Sequence, residues 1–387
     1  MIFSALGGTD RVGASCYFLQ LAGTNFLLDC GKGIQGLRHT YGPNFLSLSQ
    51  IPGMESPART DALLISHGHY DHIGYLPDFA EMCPYTPVYA TQVTKELGKH
   101  LMWDRFRYEK DMTVEKRMGE DYLIDCALQR IHGNGYGSPF TVGNVKVTFY
   151  EAGHIPGAAM IYLESPEGNV LYTGDFMREK TTLTCGYQLP AKVQPDLMIL
   201  CGLHAKHPRY VPKERVSQAL RKAAEKLYFG ESVFLQVKQL TKGLEMVRSL
   251  AKMMEKGEFP YEPIFAEEQI VMLAERLGSL NMQVLPQNCR PYDILQLHSP
   301  RRPKGIYVGG CFGPLPALEA DFSLHADYEE CRRLVEGCLP SALFVVHSPK
   351  DREGEGDRLL AEEFPNIQVI YPETGRVYGS PEGGRPQ

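Results

Sequence analysis

The stretch Ser66-His67-Gly68-His69-Tyr70-Asp71-His72-Ile73-Gly74-Tyr75-Leu76-Pro77 places three imidazoles and a carboxylate within six residues. It follows the apolar run Ala62-Leu63-Leu64-Ile65, which reads as a strand and delivers the polar side chains onto a loop at a sheet edge. Donors packed this tightly repel one another or compete for water unless a cation sits among them. Imidazole and carboxylate donors suit zinc, with manganese or iron as substitutes. A polar loop with surface histidines does not account for so dense a His-x-His-x-Asp-His pattern directly behind a strand. His67, His69, Asp71 and His72 are therefore expected to form a metal site.

Three further polar residues occupy the same kind of place. His154 follows the strand-like Val145–Tyr150 through Glu151-Ala152-Gly153, and Asp175 follows Asn169–Thr173 through Gly174. Much later His347 directly follows Leu343-Phe344-Val345-Val346. One strand-end histidine by itself reads as structural. Three such residues alongside His67–His72 read as a shared ligand set at one edge of a sheet sandwich.

Residues 1–30 read as three short strands, with turns at Gly7-Gly8 and at Ala22-Gly23-Thr24-Asn25. Ile73 to Glu81 and most of Thr91 to Arg130 carry helical patterns, with Thr91 as N-cap. Between residues 206 and 317 helices and strands alternate, the signature of a parallel βαβ module. Because His347 comes after that module, the module is an insertion into the first domain and not a tail. The expected division is 1–205 and 318–387 for the metal-binding domain, with 206–317 inserted.

A chain of 387 residues, 43% of them hydrophobic, can bury a large core. Net charge of -6 and a pI near 6.1 provide no global basic field, so a nucleic-acid substrate requires a local basic groove. Lys206, Arg209, Lys213, Arg215, Arg301, Arg302 and Lys304, near the two module junctions, are the candidates for neutralising phosphates. The basic, aromatic-laced segment Lys99–Tyr108 reads better as the solvated side of an amphipathic helix than as such a groove. The ten cysteines form no Cys-x-x-Cys pair and read as reduced thiols, which predicts a cytoplasmic protein. The N-terminal residues lack the pattern of a signal peptide, and no run of eighteen apolar residues predicts a membrane span.

Several segments together resemble metallo-β-lactamase-fold hydrolases, and among them the β-CASP nucleases. They include Gly7-Gly8, Val12-Gly13-Ala14-Ser15-Cys16, Leu27-Leu28-Asp29-Cys30-Gly31 and the His67–His72 loop. Ala152-Gly153-His154-Ile155-Pro156-Gly157, Thr173-Gly174-Asp175-Phe176, Gly309–Pro314 and Asp321–Tyr328 extend the match over nearly the whole chain. The resemblance implies an α/β fold: an αββα sandwich with an inserted parallel α/β β-CASP domain. It also implies that His67, His69 and His154 hold one zinc, that Asp71, His72 and His347 hold a second, and that Asp175 bridges them. Two divalent ions about 3.5–4 Å apart stabilise an in-line phosphoryl displacement and lower the pKa of water toward about 7. His325 matches the family histidine placed to protonate the leaving oxygen or to contact the scissile phosphate; its alternative is a structural role on a strand-to-helix turn.

One position departs from the family. Its acidic residue at the end of the strand matching Asp196–Leu200 is Cys201 here, followed by Gly202-Leu203-His204. A thiol gives only a weak hydrogen bond where a carboxylate would orient and charge a histidine. The expected activity is a binuclear-zinc phosphodiesterase acting on RNA or single-stranded nucleic acid. Asp71 and His325 are its catalytic residues, and His204, Arg209 and Arg301 contact substrate. Hydrolysis of a small ester, thioester or amide is the alternative, and a homodimer is one expectation for assembly.

Overall fold

The computed structural model describes residues 1–35, 39–104, 113–206, 213–293, 297–349 and 359–379. It divides into two compact units, Met1–Lys180 with Gly186–Tyr210 and His325–Gln387, and Thr181–Cys185 with Val211–Leu324.

The first unit is built on two seven-stranded sheets. One runs, in spatial order, Val377–Tyr378, Ile2–Gly7, Cys16–Leu21, Thr24–Leu28, Ala62–Leu64, Val88–Thr91 and Ile131–Asn134. The other runs Gln368–Ile370, Ala342–Val346, Leu197–Cys201, Gly168–Tyr172, Ala159–Ser165, Val145–Glu151 and Phe140–Val142. Side chains alternate across each strand, and both faces of the first sheet are covered. Phe3, Ala5, Tyr17, Leu19, Phe26, Leu28, Ala62 and Leu64 point toward the second sheet, where they meet Phe149, Ile161, Tyr172 and Phe344. Ile2, Leu6, Phe18, Leu27, Leu63 and Ile65 point the other way, onto Leu76, Phe79, Met102, Ile124 and Leu128 of the helical layer. Burial on both faces is why these strands read as continuous apolar runs and not as alternating ones.

The helical layer comprises Leu76–Met82, Gln92–Asp104 and Val114–Gln129. Thr91 closes a strand and caps the next helix: its Oγ1 accepts from the Thr94 N–H at 3.0 Å and donates to the Gly157 carbonyl at 2.7 Å. Lys99 is paired with Asp125 at 2.7 Å, and the Trp103 indole donates to Asp121 at 2.5 Å, so both are committed to helix–helix contacts. The rest of that basic segment, from Arg105 on, lies outside the described residues, as do Ser380–Gln387.

The second unit carries one five-stranded sheet, Cys289–Pro291, Ile264–Ala266, Ile306–Gly309, Val233–Gln236 and Leu318–Glu319, with every neighbouring pair parallel. Its helices include Lys213–Tyr228, Leu240–Glu255 and Glu268–Ser279. Leu240, Leu244, Val247, Leu250, Ala251 and Met254 bury one face of the second of these at helical spacing. Thr181–Cys185 joins this unit although it precedes the alternating module in sequence, because the buried Glu245 carboxylate accepts the Thr182 N–H at 2.5 Å. Among the described residues no helix is long and apolar enough to cross a membrane.

Candidate metal centre

His67, His154, Asp175 and His347 each sit just beyond the end of a strand of the first unit. His347 itself takes a left-handed conformation (φ 51°), and Gly174 (φ 52°) and Gly153 (φ 76°) turn the chain just before Asp175 and His154. The cluster seen in sequence is not a loop throughout, since Asp71 and His72 lie on the single helical turn Tyr70–Ile73. That turn rests on Gly31, where a Cβ would stand 1.7 Å from the Asp71 carbonyl oxygen.

The side chains converge in two groups, His67, His69, His154 and Asp175, and Asp71, His72 and His347, with the donor atoms of each group within 4.8 Å of one another. His69 Nδ1 faces His154 Nε2 at 3.1 Å. Asp175 Oδ2 lies 3.7 Å from His67 Nε2, 3.9 Å from His154 Nε2 and 3.5 Å from His72 Nε2, so one oxygen reaches both groups. Asp71 Oδ2 stands 3.9 Å from His72 Nε2 and 3.8 Å from His347 Nε2. Ligands held at about 2.1 Å in a tetrahedral array stand about 3.4 Å apart, which these separations bracket.

The donor atoms also satisfy a stricter test. Nε2 of His67, His72 and His347 and both oxygens of Asp175 are buried and form no hydrogen bond. Orphaned buried polar atoms are rare, and five of them, spread over the two groups, fit bound divalent cations. Their opposite ends are held. His72 Nδ1 lies 2.7 Å from Asp29 Oδ2 and His347 Nδ1 lies 3.1 Å from Ser15 Oγ. Ser66 Oγ donates to Asp29 Oδ2 at 2.7 Å, so its contact with His67 Nδ1 at 3.0 Å makes the ring nitrogen the donor. A histidine that gives up its Nδ1–H in this way presents an unprotonated Nε2.

Charge is distributed unevenly over the cluster. Burial and the neighbouring His72 hold His67 well below the usual imidazole range. Burial would raise the Asp175 carboxyl, but His347, His72 and His325 outweigh it and hold it well below the usual carboxylate range. Burial would lower His72, yet Asp175, Asp71 and Asp29 outweigh that and raise it.

His325 adjoins the cluster. Its Nδ1 stands 3.3 Å from Asp175 Oδ2, its ring centroid lies 4.5 Å from that of His154, and the next residue's N–H bonds to the Phe176 carbonyl at 2.7 Å. Cys201 turns its thiol to the Tyr172 hydroxyl at 3.7 Å and packs into the core between the sheets. Burial, with Asp175 and Asp29 adding to it, pushes that thiol well above its usual pKa.

A profile of the metallo-beta-lactamase superfamily matches residues 9–225. The chain belongs to that superfamily. Cleavage and polyadenylation specificity factor subunit 3-I of Arabidopsis thaliana is 29% identical over 57% of the chain and 31% of its own length. Endoribonuclease ysh1 of Schizosaccharomyces pombe is 32% identical over 51% and 25%, and Integrator complex subunit 11 of Gallus gallus is 30% identical over 62% and 40%. The chain thus spans between a quarter and two-fifths of the length of these relatives, whose homology agrees with the β-CASP resemblance. A crystal structure of a protein of unknown function from Enterococcus faecalis V583 shares the fold over 97% of this chain and 99% of its own, with a TM-score of 0.59 and 16% identity.

The substrate-contact candidates fare unequally. His204 is half-buried with its ring centroid 6.2 Å from that of His325, Arg301 is an exposed residue of the second unit, and Arg209 lies outside the described residues. Arg302 stacks over Phe234 at 5.2 Å and Lys304 pairs with Glu262 at 3.1 Å. Lys206 is buried. Asp29, Ser15 and Ser66 are the residues that sequence reasoning passed over. Asp29 carried the available signal, a carboxylate directly behind the strand Thr24–Leu28.

Proposed function

We propose that the chain is a binuclear-zinc phosphodiesterase that cleaves RNA in a reducing, cytoplasmic compartment. The observation that carries this reading is the position of Asp175 Oδ2, within 3.9 Å of donor atoms from both ligand groups. Divalent ions, when bound, supply Lewis acidity toward a phosphate and lower the pKa of water toward about 7. His67, His69 and His154 would hold one and Asp71, His72 and His347 the other, with Asp175 shared.

Asp71 has its side chain 25% exposed, against at most 2% for His67, His72, His154, Asp175 and His347, and is the ligand that orients the attacking water. His325, whose Nδ1 stands 3.3 Å from Asp175 Oδ2, is placed to protonate the leaving oxygen or to contact the scissile phosphate. His204, Arg209 and Arg301 are proposed contacts along the strand. The ten free cysteines accord with a reducing compartment.

The test is cleavage of a single-stranded RNA oligomer by the zinc-loaded protein. His69→Ala abolishes it, and the rate falls steeply with added salt. Two bound ions per chain without cleavage of RNA or DNA would sink the reading. Cys201 favours a second reading, a small ester, thioester or amide substrate, because its thiol is committed to Tyr172 where the family has an acid. If the lost acid limits RNA cleavage, Cys201→Glu raises it; an unchanged rate removes that argument.

A further inference from the structure

Asp175 and His325 meet from two stretches of irregular backbone, both within the first unit. One runs from Asp175 through Phe176 to Glu179. The other carries His325 and Ala326 to Asp327, the N-cap of the helix Tyr328–Cys338. His325 precedes that cap by two residues, so no regular element holds its ring in place. Its side chain nevertheless stands with Nδ1 3.3 Å from Asp175 Oδ2.

One carboxylate ties the two stretches together. Glu330 Oε1 accepts the N–H of Arg178 at 2.9 Å and that of Glu179 at 3.0 Å, while Oε2 accepts the N–H of Asp327 at 3.2 Å. Asp327 Oδ1 accepts the Glu330 N–H at 2.9 Å, which completes a capping box. A capping box by itself satisfies the helix's own N–H groups. Here the glutamate also commits a whole oxygen to a segment 151 and 152 residues away. The Ala326 N–H adds a second link, to the Phe176 carbonyl at 2.7 Å. Phe176 is buried and packs against Tyr187, with ring centroids 6.0 Å apart, so the first stretch has a fixed seat.

We infer that Glu330 is a positioning residue: it clamps the two stretches together and so holds the His325 ring at Asp175. The clamp stands on its own hydrogen bonds; its consequence for turnover rests on the RNA reading above. A purely structural capping box would support the helix and leave the ring of His325 where it is.

The test uses zinc-loaded protein with ring-labelled histidine, in which the imidazole signal that disappears in His325→Ala identifies His325. Glu330→Gln keeps the size and suits a capping box, but it offers one acceptor oxygen to three N–H groups. Glu330→Asp keeps the charge and withdraws the carboxylate, and it carries the test if the first variant does not fold. Both variants are expected to move the His325 signal and to keep the wild-type zinc content. Their kcat on RNA falls about 10–100-fold with KM little changed, the range for a reacting group displaced by about 1 Å. Combined with His325→Ala, neither variant lowers turnover further. An unmoved His325 signal in a folded variant overturns the inference, as does an equal loss of turnover in the His325→Ala background. A matching shift in Gly53→Ala, which is strained through its own backbone, would reduce the effect to general loosening and overturn it as well. Wild-type protein that cleaves no RNA sinks the RNA reading alone, and the His325 signal still decides the clamp.

Discussion

His72 Nδ1 stands 2.7 Å from Asp29 Oδ2, across 43 residues of sequence, with both side chains sealed from solvent. Asp29 is itself in a left-handed conformation (φ 61°), and its carboxylate accepts from the Ser66 N–H, the Ser66 hydroxyl and the Tyr172 hydroxyl as well. One buried acid thus fixes the ring orientation of His72 directly and of His67 through Ser66. Strained backbone of this kind persists where the surroundings over-determine it, and a ligand scaffold is such a place.

Asp29→Asn keeps the shape but replaces an acceptor-only group with one that must place an amide among four donors. Zinc affinity is expected to fall about 10–100-fold, the usual cost of losing a partner behind a metal-binding histidine. Competition with a chelator, read by metal content, checks this; unchanged affinity would mean that Asp29 does not orient His72.

Gly174 and Gly53 both have positive φ, but a Cβ at Gly174 would meet Ser66 Cβ at 2.6 Å and one at Gly53 meets nothing within 4 Å. Gly53→Ala is expected to lose about 1–3 kcal/mol of stability from backbone conformation alone. Gly174→Ala loses more, and zinc with it, because Ser66 supports His67. Denaturant unfolding with metal analysis distinguishes the two; equal stability losses with full zinc content in both would refute the link.

His325 lies outside both ligand groups. His325→Ala is therefore expected to retain its metal while turnover on RNA drops about 10²–10⁴-fold, the range of a proton-transfer residue. Full turnover in that variant would show that His325 has a structural role only.

Thiol chemistry offers a check that is independent of activity. Cys126, Cys185 and Cys311 are exposed, whereas burial pushes Cys83 and Cys338 up to about 11 and Cys289 up to about 12. Three cysteines are expected to react quickly with a thiol reagent at pH 8, and the others only after unfolding. Because the buried values are raised, any native-state labelling of Cys83 should quicken about tenfold per pH unit until about pH 11. Fast labelling of all ten at pH 8 would contradict the packing of both sheets.

Sequence alone determined the candidate ligands, because a strand buried on both faces reads as an apolar run and the polar residues that follow it emerge at the sheet's end. That logic found His67, His154, Asp175 and His347, and it marked the alternation of strands and helices that became the parallel sheet of the second unit. It also applied to Asp29, yet nothing in one dimension separates an acid that meets a cation from one that holds the histidines behind it. Only the tertiary structure decided which ring nitrogen each histidine presents, since that depends on Asp29, Ser66 and Ser15 arriving from distant strands. It likewise turned Cys201 inward onto Tyr172 and buried Lys206 against Tyr371, because burial is set by packing between segments that the sequence lists far apart.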